Sequence, residues 1–383
     1  MAHQSFALES ALPADWRQGL FVGRIDRGEG PTPIIVAAGI AYDMTPVAPT
    51  VSALVAGGSF DTAAGTSLGD LLDVGPSPDS DAPVRLLSPI DLQCVKAAGV
   101  TFAVSALERV IEEQARGDYT RAAEVRGRLE AALGGSIGSV IPGSEQAATL
   151  KDALIDGGMW SQYLEVAIGP DAEIFTKSPV LSTVGCGAPI GIRSDSTWNN
   201  PEPEVVLLAD AHGHAVGATL GNDVNLRDFE GRSALLLSKA KDNNASCSLG
   251  PLIRLFDAGF TMDDVRDAQI ALRIEGEDGY VLNGASSMRE ISRDPEDLLA
   301  QSLSEHHYPD GFVLFLGTLF APTQDRDHPG RGFTHKVGDV VTISNDRLGT
   351  LSNPVTTCDQ APPWQFGLGD LMRNLAKRGL LTA

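Results

Sequence analysis

The chain has 383 residues and a mass of 40.3 kDa, more than one hydrophobic core usually serves, so two domains or one domain with a large appendage are expected. Its 29 Lys and Arg residues against 50 Asp and Glu residues give a net charge of −21, which repels nucleic-acid phosphates and anionic membrane surfaces. Hydrophobic residues make up 43% and charged residues 21%, so the composition is that of a folded protein. No basic-then-apolar leader and no run of about 20 apolar residues is visible. We therefore expect a cytoplasmic protein with neither nucleic acid nor membrane as a partner.

The first ninety residues are typical of strands and turns. Strands are predicted at Leu20–Ile25, Pro33–Ala38 and Gly39–Met44. A segment rich in Gly, Pro, Ser and Asp follows from Gly75 to Pro83 and has the composition of a linker. We therefore predict a small β-rich domain over residues 1–85 and a larger domain over residues 86–383.

A helical pattern comes next. Apolar residues recur at helical spacing from Ser105 to Ala132, with a break at Gly117–Asp118, and a second helical stretch runs from Glu145 to Tyr163. These stretches predict a helical insertion around residues 105–163. The chain then returns to strands, which are predicted at Glu202–Ala209, Ala215–Asp223, Ile270–Arg273, Phe312–Gly317, Val337–Ser344 and Leu351–Val355. Helices followed mostly by strands, without a βαβα alternation, indicate an α+β fold.

The most informative segment runs from Glu202 to Asp223. Alternate residues of a strand share a face, so the carboxylates of Glu202 and Glu204 project together. If the chain turns between His212 and Gly213, Asp223 lies opposite Glu202 in the resulting hairpin. Directly opposed residues have Cβ atoms roughly 4.5–5.5 Å apart, so the three carboxylates are expected to converge.

Three clustered carboxylates repel one another unless a cation lies between them. Oxygen ligands without cysteine favour a hard cation, Mg²⁺, Mn²⁺ or Ca²⁺, over zinc. The alternative is a solvated pair of surface glutamates, but the apolar run Val205–Ala209 predicts a strand buried on both faces. His212 and His214 resemble a metal-binding pair, yet they lie at the predicted turn, where we expect them to be exposed.

These residues resemble the fumarylacetoacetate hydrolase family, whose metal site is a Glu-x-Glu followed by the Asp of an Asn-Asp-x-x-x-Arg-Asp segment, here Asn222–Asp228. Other segments similar to the family are Ile174–Pro179, Lys241, Ser248–Pro251, Gly317–Thr318 and Val337–Val355. The resemblance covers most of the chain. It implies a mixed β-sheet roll, a divalent cation held by Glu202, Glu204 and Asp223, and assembly as a homodimer or homotetramer.

One branch of the family matches further. Phe102–Ser105, Trp160–Val166 and Lys239–Asn244 are similar to the 2-keto-3-deoxy-D-pentonate (xylonate or arabinonate) dehydratases. The resemblance implies a metal-dependent hydro-lyase that takes a small 2-keto-3-deoxy sugar acid and forms 2,5-dioxopentanoate in non-phosphorylating pentose oxidation.

The resemblance also implies roles for individual residues. Lys241 is expected to remove a C3 proton, because a lysine beside a dication and out of water has its charged form disfavoured. Glu108 is expected to donate a proton to the leaving C4 hydroxyl. The predicted substrate-binding residues are Arg227, Thr318, Ser105 and Lys177.

Each role has a simpler alternative. Lys241 could be a solvated surface charge, and Glu108 the polar face of an amphipathic helix. Arg227 could pair with Asp228 or a metal carboxylate, Thr318 could hold a turn, and Ser105 could cap a helix.

Two other functions stay open at this point. One is an acylpyruvate hydrolase or oxaloacetate-type decarboxylase of the same family. Ser105 argues against hydrolysis, because it stands where the hydrolases of the family have a histidine, and a serine cannot replace that general base. The other is a protein that binds a sugar acid without turnover, against which the presence of both Lys241 and Glu108 argues.

Overall fold

The computed structural model describes residues 7–381 except 79, 123, 127–139, 157, 159 and 328–331. The strands of the described residues are β1 (Leu20–Asp26), β2 (Pro31–Ala37), β3 (Ile40–Asp43), β4 (Thr66–Asp70), β5 (Arg85–Leu86), β6 (Cys94–Ala98), β7 (Ile174–Ser178), β8 (Ile190–Ile192), β9 (Asn199–Asn200), β10 (Pro203–Ala209), β11 (Ala215–Asp223), β12 (Asn225–Leu226), β13 (Cys247–Leu255), β14 (Gln269–Glu275), β15 (Val281–Ser287), β16 (Phe312–Phe315), β17 (Val340–Asn345) and β18 (Gly349–Thr357). The α-helices are Val51–Ala56, Ala103–Ala115, Glu145–Asp156, Gln162–Ile168, Arg227–Glu230, Leu237–Lys241, Met262–Arg266, Pro295–Leu303 and Leu368–Lys377.

The strands of this described part form two large sheets and one small one. The largest has the order β4-β3-β2-β1-β13-β11-β10-β16-β6-β7, and β5 pairs with β1. The second has the order β15-β14-β17-β18-β8, and β12 pairs with β9. The pairs β16–β6 and β18–β8 are parallel and the neighbouring pairs β10–β11 and β11–β13 are antiparallel, so the sheets are mixed.

The strand β10 lies in the centre of the largest sheet and is buried along its whole length. Val205 and Leu207 pack into one hydrophobic cluster, whereas Val206 and Leu208 pack into another. Alternate side chains of a strand point to opposite faces, so this strand contributes to a core on each side. Burial of each such side chain stabilises the folded state by about 1.5–3 kcal/mol. The strand is therefore held firmly in the interior, and so are the acidic residues next to it. The continuous apolar run therefore predicted a strand buried on both faces correctly.

The helices between residues 103 and 168 have a hydrophobic cluster of their own. Val110, Ile111 and Leu164 pack there with Trp198, which comes from outside the helical segment. The first helix ends at Ala115, and Arg116 and Gly117 follow it with positive φ, so the predicted break is confirmed. Residues 123 and 127–132 of the predicted helix lie outside the described residues.

The prediction of one helical stretch from Glu145 to Tyr163 is wrong in its extent. A first helix ends at Asp156 and a second begins at Gln162. The hydroxyl of Ser161 accepts a hydrogen bond from the Tyr163 backbone N–H at 3.2 Å, so Ser161 caps the second helix.

The N-terminal strands continue the largest sheet. Strand β1 pairs with β13 through Phe21 opposite Arg254 and Val22 opposite Ile253. Sequence analysis did not predict β13, which contains Gly250 and Pro251 and is nevertheless buried throughout. The division into domains at residue 85 stays a prediction.

No helix within the described ranges is both long enough and apolar enough to cross a bilayer.

Candidate metal centre

The register of the hairpin β10–β11 brings the acidic residues together. Pro203 pairs with Asn222 and Glu204 with Gly221, and the Asp223 N–H donates to the Glu202 carbonyl at 3.1 Å. The predicted placement of Asp223 opposite Glu202 is therefore confirmed. A bulge after Leu208 shifts the pairing by one residue near the turn without disturbing the acidic end.

Glu202, Glu204 and Asp223 are buried, and each offers a carboxylate oxygen that lies within 4.8 Å of the other two. Burial raises the pKa of Glu202, but the charges of Arg109 and Lys241 outweigh burial and lower that pKa to about 2. Burial and the charges of Asp223 and Glu202 hold the pKa of Glu204 well above its ordinary value. Adjacent carboxylates in the same site thus have opposite pKa shifts. The turn histidines His212 and His214 are exposed, as expected, and lie outside this cluster.

Two buried lysines contact these carboxylates. The ammonium of Lys241, at the end of its helix, lies 2.5 Å from Glu202 and 3.0 Å from Asp223. The alternative that Lys241 is a surface charge is therefore wrong. Burial lowers the pKa of Lys241, but the charges of Asp223 and Glu202 outweigh burial and raise it. These contacts therefore favour the charged ammonium, whereas the sequence analysis expected the charged form to be disfavoured.

Lys177, on β7, is fully buried, and its ammonium lies 2.7 Å from the other oxygen of Asp223. The same ammonium donates to the backbone carbonyls of Val224 and Lys241. These contacts make Lys177 a residue that orients Asp223. Its predicted contact with substrate stays a prediction.

Glu204 is held by the turn that follows β16. The Gly317 N–H donates to one of its oxygens at 2.7 Å, and the Thr318 hydroxyl donates to the other at 3.3 Å. The hydroxyl of Ser105 donates to the Thr318 carbonyl. Ser105 therefore does not cap its helix, which begins at Ala103, and Thr318 does more than hold a turn.

Sequence analysis did not identify Arg109, which joins the helix Ala103–Ala115 to the metal carboxylates. One of its nitrogens contacts Glu202, and the other lies 2.6 Å from Glu112 and 3.1 Å from Glu230. The spacing of Ser105, Arg109 and Glu112 on one helical face was the available signal. It is a weak signal, because charged residues at this spacing usually face solvent.

Arg227 is buried, and its Nε lies 3.2 Å from Glu112 and donates to Asn200 Oδ1 at 2.7 Å. Its guanidinium also lies 5.4 Å from the ring centroid of Trp198. The alternative that Arg227 pairs with Asp228 is wrong, since Asp228 accepts hydrogen bonds from Ser196 and Thr197. Contact of Arg227 with substrate stays a prediction.

Two further carboxylates lie near the helical segment. Glu108 is buried and contacts Arg126 at 2.7 Å, so it is not part of a solvated helix face. Glu173 lies just before β7, next to Gly99, where a Cβ on that glycine would be 1.9 Å from a Glu173 oxygen. Burial and the charge of Glu230 raise the pKa of Glu173 to about 7, and Arg109 and Lys241 oppose them. No sequence signal distinguished Glu173 from other acidic residues.

The donor set fits a hard divalent cation. In the part of the chain that the structure describes, five buried carboxylates face four buried cations, namely Glu112, Glu202, Glu204, Asp223 and Glu230 against Arg109, Lys177, Arg227 and Lys241. Glu204 forms no ion pair with any residue that the structure describes, and burial and the charges of Asp223 and Glu202 raise its pKa. Three convergent carboxylates without a sulfur or imidazole ligand are the ligands that Mg²⁺, Mn²⁺ and Ca²⁺ prefer.

Two curated relatives are similar to the chain. It is 33% identical over 217 residues to the probable 2-keto-3-deoxyxylonate dehydratase of Haloferax volcanii, an alignment that covers 56% of this chain and 68% of the relative. It is 32% identical over 186 residues to the 2-dehydro-3-deoxy-D-arabinonate dehydratase of Saccharolobus solfataricus, which covers 48% of this chain and 58% of that relative. Similarity to two proteins named dehydratases confirms the expectation of a hydro-lyase.

The similarity of the fold to a solved structure and a match to a protein family are both consistent with these relatives. A solved structure of 2-keto-3-deoxy-D-arabinonate dehydratase, complexed with magnesium and 2,5-dioxopentanoate, superposes with a TM-score of 0.60 at 21% identity over 88% of this chain and 98% of that chain. This likeness confirms the predicted α+β fold. Residues 170–356 match the family described as fumarylacetoacetate (FAA) hydrolase, C-terminal. On these grounds, the chain belongs to the fumarylacetoacetate hydrolase family.

Proposed function

We propose that the protein is a divalent-cation-dependent dehydratase that converts 2-keto-3-deoxy-D-pentonate to 2,5-dioxopentanoate. The observation that carries the proposal is the contact of buried Lys241 with both Glu202 and Asp223, which puts a proton-transfer group against two of the three clustered carboxylates. The names of the two relatives support the substrate class. The magnesium in the structurally similar dehydratase supports Mg²⁺ as the cation.

The site has the parts that removal of a proton next to a ketone requires. A bound divalent cation would lower the pKa of the C3 protons by drawing charge from the carboxylate and keto oxygens of the substrate. Glu202, Glu204 and Asp223 would hold that cation, with Lys177 and the Gly317 N–H orienting two of them.

Lys241 is the proposed base for the C3 proton. Its ammonium contacts the two carboxylates whose charges raise its pKa. A dication bound by those carboxylates would neutralise them and remove this stabilisation of the ammonium, while burial would continue to favour the neutral amine. We therefore expect Lys241 to act as a base when the cation is bound.

Two carboxylates are candidates for the general acid that protonates the leaving C4 hydroxyl. Glu108, which sequence analysis proposed, is engaged by Arg126. Glu173 has a pKa raised to about 7, which lets the carboxyl carry a proton near neutral pH. We place the acid at Glu173 and keep Glu108 as the alternative. Loss of the C3 proton and the C4 hydroxyl releases one water, and tautomerisation of the enone produces the C5 aldehyde.

The test is incubation of the purified protein with 2-keto-3-deoxy-D-pentonate after EDTA treatment, with and without added Mg²⁺, while aldehyde and pyruvate are both measured. We expect Mg²⁺-dependent aldehyde and no pyruvate, and loss of aldehyde in the Glu204→Gln variant. Pyruvate with glycolaldehyde would instead show aldol cleavage, and absence of both products would contradict the proposed reaction. The expected homo-oligomer and cytoplasmic location stay predictions.

A further inference from the structure

A pocket of about 480 Å³ is lined by Glu230, whose carboxylate contacts Arg109 next to the metal centre. Its walls come from the end of the helix Ala103–Ala115, from the start of the helix Gln162–Ile168 and from the segment 230–235. Glu230, Gly231 and Tyr163 are the buried residues of its lining.

This lining connects directly with the metal carboxylates. Glu230 lies 3.1 Å from the Arg109 guanidinium, and the same guanidinium contacts Glu202. The Tyr163 hydroxyl donates to the Glu230 backbone carbonyl at 3.4 Å. The inner end of the pocket is therefore one side chain away from a metal ligand.

Two arginines stand at the outer edge of the pocket. Arg116 and Arg232 line it and are exposed, and neither forms an ion pair with any residue that the structure describes. The guanidinium of Arg232 lies 4.6 Å from the ring centroid of Phe229, which restrains its position. By contrast, the exposed Arg289 has a carboxylate partner in Asp267 at 2.9 Å.

Backbone packing explains why the two arginines share one edge. A Cβ on Gly117 would lie 2.5 Å from the Asp228 carbonyl oxygen, and a Cβ on Gly231 would lie 3.0 Å from the Gly117 Cα. Only glycine allows the end of the helix and the segment after Glu230 to approach so closely. The residues adjacent to this contact are Arg116 and Arg232.

We propose that this pocket is the route by which the substrate reaches the metal centre, and that Arg116 and Arg232 attract its carboxylate to the mouth of the pocket. A net charge of −21 repels an anionic substrate over most of the surface, so unpaired cations at the mouth determine where the anion approaches. The proposal rests on the proposed function for the identity of the anion, a 2-oxo acid.

The test compares the wild type with the Arg116→Gln/Arg232→Gln double variant, and uses Arg289→Gln as a control that removes an exposed arginine elsewhere. The first readout is the association rate of 2-oxopentanoate with the Mg²⁺-saturated protein, followed by stopped-flow tryptophan fluorescence at 20 mM to 300 mM salt. This 2-oxo acid has no C4 hydroxyl and cannot lose water, so the readout does not depend on turnover. The second readout is kcat and KM for 2-keto-3-deoxy-D-pentonate.

We expect the association rate of the wild type to fall with rising salt, and the double variant to associate about threefold to tenfold more slowly at low salt, with little remaining salt dependence. kcat/KM should fall by the same factor while kcat stays unchanged, and Arg289→Gln should behave as the wild type. Equal rates and equal salt dependence in the wild type and the double variant overturn the proposal. Salt-dependent association without dehydration leaves this proposal standing and contradicts only the proposed reaction.

Discussion

At the scale of single residues, the metal centre depends on charged side chains that are buried and paired. Lys241 contacts Glu202 and Asp223, whereas Lys239, two residues earlier in the same helix, is exposed. Burial of an unpaired charge is costly, so a lysine in the interior stays charged only beside such partners. These two lysines therefore differ in environment although they are neighbours in sequence.

The Lys241→Met variant should lose turnover but not cation binding. Removal of a general base typically lowers kcat by about 10²–10⁴-fold, whereas the three carboxylates remain. The measurement is kcat with saturating Mg²⁺, together with Mn²⁺ affinity by calorimetry. Lys239→Met is the matched control and should keep kcat. Normal turnover in Lys241→Met would show that another group removes the proton.

The Glu173→Gln and Glu108→Gln variants distinguish the two candidate acids. We expect Glu173→Gln to lower kcat by about 10²-fold or more, because an amide cannot donate the proton that the C4 hydroxyl needs. Glu108→Gln should have a smaller effect, since its carboxylate is engaged by Arg126. Steady-state kinetics at saturating substrate provide the comparison. A larger loss in Glu108→Gln would return the acid role to the residue that sequence analysis proposed.

At the scale of secondary-structure elements, the site lies where a central hairpin, a turn and a helix meet. β10 and β11 supply the carboxylates, the turn after β16 holds Glu204, and the helix Ala103–Ala115 reaches Glu202 through Arg109. The helix belongs to a separate hydrophobic cluster, so Arg109 and Ser105 form the polar link between that cluster and the hairpin.

The Arg109→Met variant should destabilise the protein by about 3–5 kcal/mol, because it leaves buried carboxylates without a partner. The free energy of unfolding in urea measures this effect. Arg273→Met is the control, since Arg273 pairs with Glu275 on the surface, where an ion pair contributes about 0–1 kcal/mol. Equal stability of the two variants would show that the Arg109 contacts do not hold the helix to the hairpin.

The Gly317→Ala variant should lose stability and cation affinity together. Gly317 has φ +100, and a Cβ there would lie 2.0 Å from Thr101 Oγ1 and 2.9 Å from the Gly99 carbonyl oxygen. Relief of this clash must move the N–H that orients Glu204, at a cost of about 2–4 kcal/mol.

Gly279→Ala is the matched control for this backbone change. Gly279 has φ +81 with open space around its Cβ position, so only backbone strain of about 1–2 kcal/mol is expected. Calorimetric Mn²⁺ titration and urea unfolding measure both effects. Unchanged Mn²⁺ affinity in Gly317→Ala would mean that the turn does not position Glu204.

At the scale of the whole molecule, the acidic centre links cation binding to folding. Carboxylates on β10 and β11 converge only in the folded chain, so a cation bound there stabilises the folded state. At a concentration 100 times its dissociation constant, the cation should add about 2.7 kcal/mol to the free energy of unfolding.

Thermal unfolding in EDTA and in increasing Mg²⁺ tests this coupling. The midpoint should rise with Mg²⁺ and should not rise in Glu204→Gln. Potassium chloride at the same ionic strength controls for general screening of the −21 charge. An equal rise with potassium chloride, or in Glu204→Gln, would contradict specific binding.

The sequence by itself determined the hairpin, its register and the three acidic residues. Strand pairing across a short turn is local, so a mirrored spacing of Glu202 and Asp223 is sufficient to place them opposite each other. The tertiary structure alone decided the partners of those acids. Arg109 lies 93 positions from Glu202, and Glu173, Lys177 and β13 join the site or its sheet from other parts of the chain. Such contacts, and the upward direction of the Lys241 pKa, depend on how buried charges pack against one another across the fold, which the periodicity of a single sequence does not encode.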